Sequence, residues 1–174
     1  MGQCESMYSR FLLKIILLVI LLTGGVAPSA ARPSESSSEE YSIGRIIIKT
    51  TERKLLFVKG GKDAIEYKIA VGRQGREWTG STSISRKVLN PAWAPPPKIR
   101  KDNPRLPALV KAGPNNPLGV AVLVLGDGTY GIHGTNRPET IGTFASYGCF
   151  RMYNKDILDL FSRVAIGTSV TVVP

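Results

Sequence analysis

Apolar residues in this chain fall into short blocks cut apart by Gly, Pro and charged positions, and most blocks lack helical spacing. Positions 45–50 place three consecutive isoleucines beside Arg45, and 55–58 read Leu-Leu-Phe-Val. The polar break near 51–53 makes the two blocks a pair of strands, and Gly60-Gly61-Lys62 turns the chain into a third at 64–71, where apolar and polar positions partly alternate. Residues 78–84 predict another short strand. The wholly apolar run 120–125, the turn Gly126-Asp127-Gly128 and positions 129–133 predict a hairpin. A last strand covers 169–173. One segment has the other period: Ile157, Leu160, Phe161 and Val164 stand at i, i+3, i+4 and i+7, so 155–164 predicts a helix, with Asn154 as its N-cap and Asp156 in its first turn. Between the halves, residues 89–118 carry Pro91, Pro95, Pro96, Pro97, Pro104, Pro107, Pro114 and Pro117, which exclude a long helix or a central strand. Trp93 within this loop either lines a groove or anchors a rigid wrap. The expected fold is mainly β, with one or two short helices and a long Pro-rich loop.

The first 31 residues are of another kind. Arg10 and Lys14 precede an apolar run, 15–22, which leads to small residues around Ala27-Pro28-Ser29-Ala30-Ala31. These are the parts of a secretory signal, and the run is shorter than the roughly 20 apolar residues that span a bilayer. An uncleaved membrane anchor, counted from Phe11 to Val26, is the alternative. Residues 32–42 are a polar, acidic linker, and 43–174 form one domain with enough chain for a sizeable core. Without the leader, which holds two of 23 basic and one of 13 acidic residues, the formal charge falls from +10 to +9. A basic exported protein is drawn to polyanions such as cell-wall polymers. No basic run with interleaved aromatics speaks for nucleic acid.

Cysteine and histidine narrow the chemistry. Beyond the leader there is one of each, Cys149 and His133, 16 positions apart. An exported domain normally commits its cysteines to disulfides, so a lone thiol is either buried or used. A thiol and an imidazole are the minimum for cysteine-based acyl transfer. Gly148 frees the backbone ahead of Cys149. If the stretch is extended, Arg151 shares a face with Cys149, where a guanidinium favours the thiolate and can hold a substrate carboxylate. One Cys and one His leave a zinc ion short of ligands, and neither metal nor cofactor is expected.

The stretch Gly131-Ile132-His133-Gly134-Thr135, then Ile141-Gly142, Ser146-Tyr147-Gly148-Cys149-Phe150-Arg151-Met152, Asn154 and Asp156 resembles the signature of the L,D-transpeptidase catalytic domain. Thr79-Gly80, Asn90-Pro91-Ala92-Trp93 and Pro117-Leu118-Gly119 sit where that family keeps similar elements, so the resemblance spans about residues 43–174. It implies a β-sandwich or barrel catalytic domain that cross-links or modifies peptidoglycan stem peptides through a cysteine acyl-enzyme, with loss of terminal D-alanine, and that is sensitive to carbapenems. The substrate class further implies a bacterial envelope location, a periplasm by preference; a monomer is expected, with membrane association only through an uncleaved leader. The sequence departs from the family at Tyr147, where members commonly carry a second histidine. His133 is then the only imidazole available, and altered rate or substrate choice is expected.

On this reading Cys149 attacks the carbonyl of the third stem residue, a diamino acid, and His133 moves the protons. Backbone N–H groups around Tyr147, Gly148 and Cys149 are the natural oxyanion donors. Ser146, Arg151, Gly134 and Thr135 complete the expected substrate-binding set. No carboxylate stands out to orient His133, and a backbone carbonyl is the open alternative. The acceptor is left open among a second stem, a D-amino acid, water and a protein. A sortase-like enzyme needs a longer His-to-Cys interval, and a redox-sensing thiol leaves His133-Gly134-Thr135 without a task. The competing reading from another class is an inert peptidoglycan-binding module of the same fold.

Overall fold

In the computed structural model, residues 44–174 are described; the expected signal segment and the linker lie outside them. The β-branched blocks pair into an eight-stranded sheet in the order β3-β2-β1-β10-β5-β6-β7-β9. Its strands are β1 (Arg45–Lys49), β2 (Lys54–Gly60), β3 (Asp63–Lys68), β5 (Gly80–Leu89), β6 (Ala121–Leu125), β7 (Tyr130–His133), β9 (Phe150–Arg151) and β10 (Ser169–Val173). A small parallel pair joins β4 (Val71–Gly72) to β8 (Phe144–Ser146). Two contacts are parallel in the large sheet, β1 with β10 and β7 with β9.

The sheet curls until its ends meet. Just past β3, Ala70 exchanges both backbone hydrogen bonds with Arg151 of β9, each 2.9 Å. Inside the curl lie Ile46, Ile48, Leu55, Ile69, Leu123, Ile132, Phe150 and Val170, all essentially inaccessible. Helix α2 (Asn154–Arg163) packs over β6 and β7 and buries Ile157 and Leu160. Lys87 holds its C-terminal end by donating to the carbonyls of Phe161, at 2.7 Å, and Val164. From the other side, the Tyr67 hydroxyl donates to Asp159 at 2.6 Å.

Several expected boundaries shift. The strand read at 78–84 is β5, which starts only at Gly80 and runs to Leu89, so Trp78 is a loop residue. The single strand read at 64–71 is broken after Lys68, because Ile69 and Ala70 leave β2 and turn to Arg53 and Arg151. The Asn154 cap is also corrected: Tyr153 occupies the N-cap with no side-chain bond, and Asn154 is the first helical residue. The Asn154 side chain has a different partner, the Thr135 N–H at 3.0 Å.

The Pro-rich segment is a wrap, with a six-residue helix α1 (Pro97–Asp102) inside it. Prolines supply no backbone N–H, so a Pro-rich segment is short of donors for its carbonyls. Fully buried Asn116 supplies the missing donor: its amide reaches the carbonyls of Pro91, Lys111 and Val110 at 2.7, 3.1 and 3.3 Å, while its Oδ1 accepts from Leu118 N–H. Trp93 pairs with Val110 through two backbone bonds of 2.8 Å.

Candidate active site

Pairing register assigns the faces around Cys149. Strands β7 and β9 run parallel with Ile132 beside Phe150 and His133 beside Arg151. Side chains alternate along a strand. Ile132 and Phe150 therefore enter the core, and Gly131, His133, Cys149 and Arg151 belong to the opposite face. On neighbouring β6 the same alternation sends Leu123 inward, while Val122 and Val124 face a cleft of about 490 Å3. Burial on both faces explains why the 120–125 run has no polar position. His133, Cys149, Gly131, Tyr130, Trp93 and Arg86 are among the residues that line this cleft. Of the two roles expected of Trp93, lining the groove is the one observed; its backbone, not its ring, ties the wrap together through Val110.

His133 is 5% exposed. Its Nδ1 lies 2.6 Å from the Gly134 carbonyl, so that nitrogen carries the proton and Nε2 is the free base. The orienting group left open by the sequence is therefore a backbone carbonyl. Burial draws the imidazole down to about 4; the Gly134 bond opposes this and the Arg151 charge adds to it. Burial raises the Cys149 thiol, against the lowering effects of the Gly131 N–H and the Arg151 guanidinium. Both shifts favour the neutral forms at rest, a thiol with an imidazole and not a thiolate with an imidazolium.

The loop ahead of Cys149 is held by its own side chains. Ser146 Oγ accepts the Gly148 N–H at 3.0 Å and donates to the Cys149 carbonyl. This corrects the oxyanion assignment for Gly148, whose N–H is already engaged. Trp78 donates from Nε1 to the Gly148 carbonyl at 3.0 Å and stacks on Tyr130 with ring centroids 4.7 Å apart. Gly148 has φ 115°, and a Cβ there would fall 2.6 Å from Tyr130. Only glycine fits this approach.

Gly134 and Thr135 lie behind the imidazole and not along the cleft. A Cβ on Gly134 would land on Asn154 Oδ1, the atom that accepts the Thr135 N–H. Buried Thr135 in turn accepts the Arg137 N–H at 3.0 Å. Tyr147 is half-buried, with the guanidiniums of Arg73 and Arg76 at 4.0 and 5.4 Å from its ring centroid. Both arginines donate to one oxygen of Asp102. Arg73, Arg76 and Asp102 carry no local spacing signal that links them to Cys149; Gly131 enters the sequence reading only as part of the family-like stretch, and Trp78 only as a strand residue. Among the described residues no cluster of acids, His and Cys is arranged to hold a metal.

The family description of the L,D-transpeptidase catalytic domain, YkuD, matches residues 43–172. The chain belongs to the L,D-transpeptidase family. Probable L,D-transpeptidase YbiS of Escherichia coli K12 is 40% identical over 134 residues, which cover 72% of this chain and 43% of that protein. Probable L,D-transpeptidase ErfK/SrfK of Salmonella typhimurium is 37% identical over 137 residues, 74% of this chain and 43% of the relative. The chain thus spans less than half the length of these two L,D-transpeptidases. The fold of the family is shared with solved structures. The catalytic domain of Enterococcus faecium L,D-transpeptidase acylated by ertapenem superposes with a TM-score of 0.57 at 20% identity, over 74% of this chain and 95% of that one. L,D-transpeptidase 3 of Mycobacterium tuberculosis with a faropenem-derived adduct gives 0.58 at 12% identity, over 74% and 59%.

Proposed function

We propose that this chain is a peptidoglycan L,D-transpeptidase acting in the bacterial cell envelope through a Cys149 acyl-enzyme. The observation that supports it most directly is the placement of Cys149 and His133 in one cleft, with the imidazole fixed through Nδ1 on the Gly134 carbonyl. His133 Nε2 takes the thiol proton as Cys149 attacks the carbonyl of the third residue of a tetrapeptide stem. A neutral pair suits this: the base is unprotonated at working pH and the proton moves only as the new bond forms. The amides of Tyr147 and Cys149 take up the oxyanion. His133 then returns its proton to the departing D-alanine nitrogen, leaving a thioester that an amine of a neighbouring stem resolves. Arg151 sits beside both reacting groups and supports developing negative charge on sulfur. No cofactor enters any step.

Intact-mass spectrometry of the full chain after exposure to a carbapenem tests the proposal. A covalent adduct is expected on the wild type, absent from Cys149→Ala and slow to form on His133→Ala. A folded wild type that stays unmodified would return the reading to an inert wall-binding module.

A further inference from the structure

A pair of cations beside the nucleophile's loop is left unused by these steps. Arg73 and Arg76 lie on the turn between β4 and β5, and their Nη2 atoms converge on the same Oδ2 of Asp102, at 3.2 and 3.3 Å. Charge-assisted bonds of this type normally run to about 2.7–2.9 Å and are often two-pronged. Here two guanidiniums share one oxygen through long, single-ended contacts, so the pair keeps an excess positive charge and most of its donors free of Asp102. The neighbouring Glu77 carboxylate does not fill the deficit; it accepts the Arg76 backbone N–H at 3.0 Å.

The turn that presents the pair is fixed with respect to Cys149. Arg73 N–H donates to the Ser146 carbonyl at 3.0 Å, Arg76 N–H donates to the Arg73 carbonyl at 2.8 Å, and Gly72 lies against the Arg76 carbonyl with no room for a Cβ. The Tyr147 ring forms the floor. Asp102, by contrast, ends a six-residue helix with no buried side chain, so the carboxylate is the movable partner.

We propose that Arg73 and Arg76 form a subsite for a carboxylate of the donor stem peptide, which Asp102 occupies until that carboxylate replaces it. The subsite rests on the proposed function for the identity of its ligand. A partly exposed ion pair is weak, so exchange for a carboxylate that engages both forks is favourable. Tyr147 supplies the aromatic face on which both guanidiniums stack.

Calorimetric titration of the full chain carrying Cys149→Ala tests this with a synthetic tetrapeptide stem ending in D-alanine, as the free acid, amidated at the terminus, or amidated at its internal carboxylate. One of the two amides is expected to bind about tenfold more weakly than the acid, which identifies the carboxylate concerned. Arg73→Gln with Arg76→Gln should erase that difference, Arg73→Lys with Arg76→Lys should keep part of it, and Asp102→Asn should tighten the acid about threefold or more. Equal binding of all three peptides, or an acid preference that survives the double Gln variant, overturns the subsite; so does an Asp102→Asn chain that binds the acid no more tightly. Turnover by the wild type distinguishes the two readings: transfer with no acid preference refutes the subsite alone, and acid-selective binding without an acyl-enzyme refutes the chemistry alone.

Discussion

The two sides of Cys149 are built by different means. On the His133 side, the groups are set by backbone: a parallel register places His133 beside Arg151, a carbonyl fixes the imidazole, and glycines let Asn154 approach Thr135. On the Tyr147 side, the groups are set by exposed or half-buried side chains, with Arg73, Arg76 and Asp102 meeting around an aromatic ring. A backbone-built wall changes little from one substrate to another, whereas ion pairs near water exchange partners cheaply. Under the proposed function, the contrast teaches that reaction geometry and substrate choice are carried by separable parts of the site.

The largest effects should come from the backbone-built side. Cys149→Ala should abolish acylation, and His133→Gln should slow it by about 10²–10⁴-fold, the usual contribution of a positioned acid–base, measured by adduct formation over time. Gly134→Ala should push Asn154 away and leave a buried N–H unpaired, lowering stability by about 2–4 kcal/mol in denaturant titration. Asn154→Ala removes the acceptor without adding bulk and should cost about 1–3 kcal/mol. If Gly134→Ala melts like the wild type, the niche is not the rigid support described.

The pH dependence sharpens the same side. His133 titrates near 4 in the folded chain and near 6.5 when unfolded. Between those values the unfolded chain holds the extra proton, so stability is complete above about pH 6.5 and falls as pH drops toward 4, by up to about 3 kcal/mol. His133→Gln should flatten that part of the profile. Acylation should hold its rate well below pH 6 and fail as pH passes through 4. An acid limb near 6.5 would place the imidazole in water instead.

The smallest stability effect belongs to the other side. Asp102→Asn breaks two partly exposed ion pairs and should change stability by no more than about 1 kcal/mol, while shifting affinity for acidic peptides. A large loss of stability would make the Arg73–Arg76–Asp102 cluster a structural clamp and erase the contrast.

This division also explains what was legible in the sequence. The strands around 45–58 and 120–133 follow from apolar runs and glycine turns, and the proposed catalytic pair follows from having one thiol and one imidazole beyond the leader. Asn154 misled because a cap and a buried acceptor need the same residue type; only the fold brings Thr135 within reach of it. Gly148 was read as an oxyanion donor because nothing local shows that Ser146 folds back to take its N–H. Trp78 was placed at the start of a strand, yet its indole reaches a carbonyl 70 positions away. Arg73, Arg76 and Asp102 converge only after the Pro-rich wrap has been laid down, and no spacing rule predicts that.

The bridge between Ala70 and Arg151, with the parallel pairing of β1 to β10, has a consequence for the order of assembly. Segments near both ends of the described chain must be in place before the curl can close, and such distant pairings make folding slow. The thiol gains its Gly131 donor when β9 pairs with β7, and the frame around it is complete once Ala70 holds the other edge of β9, so Cys149 passes through early synthesis as an ordinary cysteine. Reactivity toward an acylating agent is therefore a late marker of folding: in a refolding experiment it should appear after helix α2 has formed, together with protection of the Arg151 amide from exchange.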